Sequence, residues 1–161
     1  MITEDFVVPN FVKVEDGATD RFARFSVEPF ERGYGTTIGN SIRRVLLASL
    51  RGAAVTAVRI EGINHEFSAV PGVEEDMTNV VLNFKKCDLR VTDAESVIFS
   101  YSFKGEGPCT AGDVFKGQEQ LECFNPDLVL FTSTAKSTAL DMEIKVATGR
   151  GYVTVDKFEL E

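Results

Sequence analysis

Residues 33–52 read Gly33-Tyr34-Gly35-Thr36-Thr37-Ile38-Gly39-Asn40-Ser41-Ile42-Arg43-Arg44-Val45-Leu46-Leu47-Ala48-Ser49-Leu50-Arg51-Gly52. Ile38, Ile42, Val45, Leu46 and Ser49 stand at i, i+4, i+7, i+8 and i+11, which is one face of an α-helix. Thr36 or Thr37 is expected to cap that helix, and Gly52 to end it. Leu47 and Leu50 lie beyond the stripe and widen the apolar surface past what one packing partner needs. Arg43 reads as a solvated charge. Arg44 shares a flank with Asn40, Leu47 and Ala48, and an arginine within a mixed apolar surface has the character of an interface anchor.

On both sides of this helix the period is two. Before it, Phe11, Val12 and Val14 precede a Glu15-Asp16-Gly17 turn, and Ala23, Phe25 and Val27 share one strand face up to Pro29. After it, Val55, Ala57, Arg59 and Glu61 alternate with Thr56, Val58 and Ile60 in a half-buried strand stopped by Gly62. A short return over residues 63–70 ends at Pro71-Gly72. Next comes a second helix, with Glu74, Glu75 and Asp76 at its start, Lys85 and Lys86 at its end, and Met77, Val80, Val81 and Phe84 as its buried stripe. Strands follow over 89–91, 97–103, 128–132 and 140–146, with Gly105-Glu106-Gly107-Pro108 and Asn125-Pro126-Asp127 as loops and one helical turn near Thr110-Ala111-Gly112-Asp113. Two main helices among many non-adjacent strands give an α+β class with mostly antiparallel sheet.

Bulk properties narrow the function. Hydrophobic residues make up 43% of the 161, enough for a packed core rather than disorder. A net charge of −8 argues against direct nucleic-acid contact, which requires clustered Lys and Arg to neutralise phosphates. Glu4 and Asp5 stand where a secretory signal carries positive charge. No window approaches the ~18 apolar residues of a membrane span. Three widely spaced cysteines form no disulfide framework, so cytoplasm is the expected compartment and no membrane partner is expected.

Chemical motifs are weak. Gly33-x-Gly35-x-x-x-Gly39 invites a nucleotide-loop reading, but its third glycine is one place late for the dinucleotide fingerprint, and no Walker lysine follows. His65 is the sole histidine, and no Gly-x-Ser-x-Gly elbow presents a serine to it. Cys87, Cys109 and Cys123 are too far apart for a zinc motif and read as small buried hydrophobes. No catalytic residue, metal ligand or cofactor is assigned. The chain is expected to grip other polypeptides. Against this stand an oxidoreductase using the glycine turn and an adaptor that takes peptides at a sheet edge.

The run from Glu28 to Leu47, which includes Glu31-Arg32-Gly33-Tyr34-Gly35-Thr36-Thr37-Ile38-Gly39-Asn40-Ser41-Ile42-Arg43-Arg44, closely resembles the signature of the bacterial RNA polymerase α-subunit family. Gly62-Ile63-Asn64-His65-Glu66-Phe67-Ser68, then Pro71-Gly72-Val73-Glu74-Glu75-Asp76, then Leu82-Asn83-Phe84-Lys85, and finally Gly149-Arg150-Gly151-Tyr152-Val153 fit the same family in order. The resemblance implies a non-catalytic assembly scaffold, part of a nucleotidyltransferase complex, whose N-terminal domain dimerises and recruits the β and then the β′ subunit. It implies two interleaved subdomains: 1–52 as the first part of the dimerisation subdomain, 53–152 as an inserted α+β subdomain, and 153–161 as the start of the return.

By the same resemblance, Tyr34, Ile38, Ile42, Val45, Leu46 and Ser49 are dimer or core positions. Arg44, with Asn40, Leu47 and Ala48 on its flank, is matched to β, as is the His65-Glu66-Phe67 loop; Asn79 and Lys85 are matched to β′. Family members continue past Tyr152 with a segment that completes the dimerisation subdomain. That subdomain is expected to be incomplete here, so that self-association or a neighbouring chain covers the apolar helix surface, or the region is partly disordered.

Overall fold

The computed structural model describes residues 6–154. The acidic N-terminal residues Glu4 and Asp5 and most of the expected return, 155–161, lie outside the described residues. The chain forms two compact units that divide between Ser49 and Leu50.

The first unit holds strands β1 (Phe11–Val14) and β2 (Phe25–Glu28) and helix α1 (Tyr34–Ala48). β1 and β2 pair antiparallel from Phe11↔Glu28 to Val14↔Phe25. Their connection is longer than a tight turn, because Glu15 N–H reaches Arg24 C=O and Thr19 bridges Phe22 before β2 begins. Ala23 therefore falls outside the strand in which it was expected.

α1 starts earlier than the threonines suggested. Gly33 is its N-cap at φ 91°, a left-handed conformation that costs glycine nothing, and no side chain caps the helix. Gly35 and Gly39 lie inside the helix, so the glycines form one turn and a helical stretch rather than a phosphate loop. At the other end Ser49 N–H donates to Val45 C=O as the C-cap. Gly52, expected to stop the helix, instead pairs with Gly149 within a strand.

The second unit is built around one five-stranded antiparallel sheet in the order β5-β9-β3-β4-β7. Its strands are β3 (Arg51–Ile60), β4 (Leu89–Val91), β5 (Ser96–Lys104), β7 (Leu121–Cys123) and β9 (Ala139–Arg150). A second ribbon pairs β6 (Gly107–Thr110) with β8 (Val129–Ser133). Gly107 and Pro108, read from sequence as loop, thus open a strand, and the three-residue β7 was not among the strands read from sequence. Residues 63–68 form turns rather than a return strand, with only an Ala69↔Asp76 bridge behind them.

Alternation predicted β9 well: Leu140, Met142, Ile144 and Val146 are all buried. β3 departs from simple alternation. A bulge between Val55 and Ala57 shifts its phase, so Ala53 and Val55 pack on the core before it and Val58 and Ile60 after it. That one inserted residue explains why the strand's sequence carries apolar residues on both parities.

Helix α2 (Met77–Phe84) buries Met77, Val80 and Phe84 on this core, and Val81 packs beside them. Asp76 caps it by accepting Asn79 N–H at 2.8 Å. Glu75 has a different task from the dipole role its position suggested: its carboxylate accepts Thr132 N–H at 2.7 Å and ties the chain before α2 to β8. Helix α3 (Ala111–Phe115) is the expected helical turn, started by a reciprocal Thr110–Asp113 capping box. Edge-to-face pairs Phe99–Phe115 at 5.8 Å and Phe103–Phe131 at 5.1 Å lock α3 and β8 onto the sheet. The class is α+β, with antiparallel sheets and three helices among the described residues.

Candidate protein-docking surfaces

In the first unit α1 has 15 residues and buries none of them. Tyr34, Ile38 and Ile42 face their own ribbon and, with Phe6, Pro9, Val12, Phe25, Val27 and Phe30, line a wholly apolar groove of ≈ 540 Å³. The Phe6 ring meets Tyr34 edge-on at 4.8 Å. Val45 and Leu46 continue the stripe past the groove, each more than half exposed, and Ser49 is the exposed C-cap. The positions read as one dimer face therefore separate into a groove-lining half and an uncovered half.

Each helical residue advances about 100° round the axis. On that spacing Asn40, Arg44, Leu47 and Ala48 occupy an arc of about 100° on the side away from Ile38 and Ile42. All four are exposed, Leu47 at 62%. An arginine beside an uncovered leucine offers a charged fork on an apolar base, which suits a carboxylate or backbone carbonyl of another polypeptide.

In the second unit the expected loop is a compact turn. Ser68 N–H donates to His65 C=O at 3.1 Å, and the Ser68 hydroxyl lies 3.2 Å from His65 Nδ1. Phe67 projects from this turn at 78% exposure. Glu66 C=O accepts the Thr78 hydroxyl at 2.7 Å, and Ser68 C=O accepts Met77 N–H at 3.1 Å, so the turn is fastened to the start of α2. Asn79 lies on that same first turn of α2, while Lys85 is its C-cap. Six residues apart, those two point about 120° from each other round the axis. The structure thus brings His65, Glu66 and Phe67 beside Asn79's end of α2 and leaves Lys85 at the far end. Thr78 was missed from sequence. Its one signal is a β-branched hydroxyl residue in a short helix, where such a side chain is a poor helix former unless its hydroxyl is used.

The cysteines carry no such role. Burial pushes the Cys87 thiol up to about 12 and the Cys109 thiol to about 11, so both stay protonated and non-nucleophilic at neutral pH. Among the described residues no three His, Cys, Asp or Glu side chains gather to hold a metal, and no helix is long and apolar enough to cross a membrane. A broader cleft of ≈ 750 Å³ borders Arg51, Leu89 and Phe124. Its Arg90 is already held by Glu122 at 3.1 Å and stacked 4.8 Å over Phe124, so it is no free anion hook.

Residues 58–160 match the family described as the RNA polymerase Rpb3/RpoA insert domain. The chain is 50% identical over 138 residues to the DNA-directed RNA polymerase subunit alpha of Carboxydothermus hydrogenoformans, covering 86% of this chain and 44% of that protein. The subunit of the same name from Moorella thermoacetica is 49% identical over 142 residues, 88% of this chain and 45% of the relative. That of Geobacter metallireducens is 44% identical over 154 residues, 95% and 45% respectively. The chain spans about half the length of the curated relatives it matches.

Proposed function

Because the chain belongs to the RNA polymerase Rpb3/RpoA insert-domain family, we propose that it is a non-catalytic α-type subunit of DNA-directed RNA polymerase that pairs with a second copy and organises the β and β′ subunits. Nucleotidyl transfer is then the work of the complex, with its magnesium-binding carboxylates on other chains. On this reading 1–52 begins the dimerisation subdomain, 53–152 is the inserted subdomain, and 153–161 begins the return. The division at Ser49/Leu50 and a family match over residues 58–160 support the first boundary of that partition.

The observation that carries the reading is α1: fifteen residues, an apolar stripe, and nothing buried. Burying a half-exposed Val, Ile or Leu side chain stabilises by about 1 kcal/mol. Ile42, Val45 and Leu46, each more than half exposed on one side of α1, therefore supply about 3 kcal/mol to a second copy that covers them. Arg44, on the opposite arc of α1, is the first contact for β, and His65, Glu66 and Phe67 add a second.

Size-exclusion chromatography with light scattering and an exposed-hydrophobe dye tests the first half. Self-association or strong dye binding is expected, and a clean monomer without dye binding contradicts it. Capture of purified polymerase β subunit tests the second half. Arg44→Ala is expected to weaken capture by about 2 kcal/mol, roughly 30-fold, while Arg43→Ala stays near wild type. Equal capture by both variants removes Arg44 from the site.

A further inference from the structure

The peptide unit joining Glu66 to Phe67 is planar, so whatever fixes the Glu66 carbonyl also fixes the plane from which Phe67 projects. At 78% exposure, Phe67 gains little orientation from packing in its own chain. The Glu66 carbonyl is held by Thr78, whose hydroxyl donates to it at 2.7 Å from the second residue of α2. One residue earlier, Met77 N–H holds Ser68 C=O, and Asp76 bridges Ala69, so the base of the turn is anchored by backbone alone. Among the described residues, Thr78 makes the side-chain hydrogen bond that reaches the apex from outside the turn.

Resting on the reading of the 65–67 turn as a β-facing contact, we propose that Thr78 is a positioning residue that holds Phe67 in its binding orientation and makes the turn and the start of α2 a single docking element. The physical reason is preorganisation. A free Phe67 turn must lose its conformational freedom when a partner closes over it, and a turn already fastened does not. The bond is exposed, so its contribution to global stability is small while its effect on local order is direct.

The experiment uses the whole chain and purified polymerase β subunit as the probe. Thr78→Val removes the hydroxyl and keeps the shape, Thr78→Ser keeps the hydroxyl, and Phe67→Ala removes the contact itself. Thr78→Val is expected to raise the Kd about fivefold with an unchanged thermal midpoint, and Thr78→Ser to restore it to within about twofold. Amide hydrogen exchange of the unbound protein should quicken at 65–68 in Thr78→Val and stay unchanged at the buried end of α2. Wild-type binding or unaltered exchange in Thr78→Val, with Phe67→Ala impaired, overturns the positioning role and leaves the docking reading intact. A weak Thr78→Ser overturns it too, because shape rather than the hydroxyl would then matter. Wild-type binding by Phe67→Ala removes the docking reading beneath it.

Discussion

In the unit that begins at Leu50, β9 places Leu140, Met142, Ile144 and Val146 on one face, and α2, α3 and β8 close over them. In the unit that ends at Ser49, α1 carries Ile38, Ile42, Val45 and Leu46 with equally regular spacing, and every one remains at least 40% exposed. The two patterns are equal in quality and opposite in outcome. Periodicity states which side of an element wants cover, and only the presence of a second layer provides it. The second unit owns its layers. Among its described residues the first offers a two-stranded ribbon and one helix, too little structure to enclose an apolar stripe.

Truncating one residue of the apolar stripe in each unit should separate them most widely. Phe84→Ala, at a fully buried α2 position, is expected to cost about 3–5 kcal/mol in denaturant unfolding. Ile42→Ala, half exposed in the first unit, should cost less than about 1 kcal/mol while no partner is present. Equal losses would mean that the first unit has a core of its own.

Two left-handed glycines sharpen the same contrast. Gly72 sits at φ 75°, and a Cβ there would collide with the Thr138 hydroxyl, whose threonine also donates to Gly72 C=O. Gly72→Ala is expected to cost about 3 kcal/mol. Gly33, at φ 91° with open space around it, bears only the backbone penalty, so Gly33→Ala should cost about 1 kcal/mol and fray the start of α1 in circular dichroism.

An effect of similar size to that at Gly33, but dependent on pH, lies in the second unit's capping box. Hydrogen bonds from the Thr110 hydroxyl, then from its backbone N–H, hold the Asp113 carboxyl below its ordinary value of 3.8. A carboxylate lowered on folding contributes stability above the unfolded value and loses it as the pH falls through the folded value. Thr110→Ala should therefore cost about 1 kcal/mol near neutrality, and the gap to wild type should shrink in acid below the usual carboxylate range. A gap that is constant with pH would show that the cap acts through Thr110 alone.

Much of the second unit was legible from its residues. Met77, Val80, Val81 and Phe84 gave α2 its stripe, Leu89–Val91 matched its strand, and Asp113 three places after Thr110 fits the capping box of α3. The docking candidates Arg44 and His65-Glu66-Phe67 were legible as residues out of place on a surface or within a matching motif. What stayed hidden was non-local. The β3 bulge, the Glu75 bond to Thr132 and the Thr78 bond to Glu66 all depend on which distant backbone group arrives opposite.

By itself the sequence determined the α+β class, the apolar face of each main helix, and the family motifs from Glu28 to Val153, because these rest on local spacing and residue identity. Tertiary structure alone decided which apolar faces are covered and that one threonine hydroxyl fastens an exposed turn. Each of those is a pairing between groups distant along the chain, and such a pairing exists only once the backbone has brought them together.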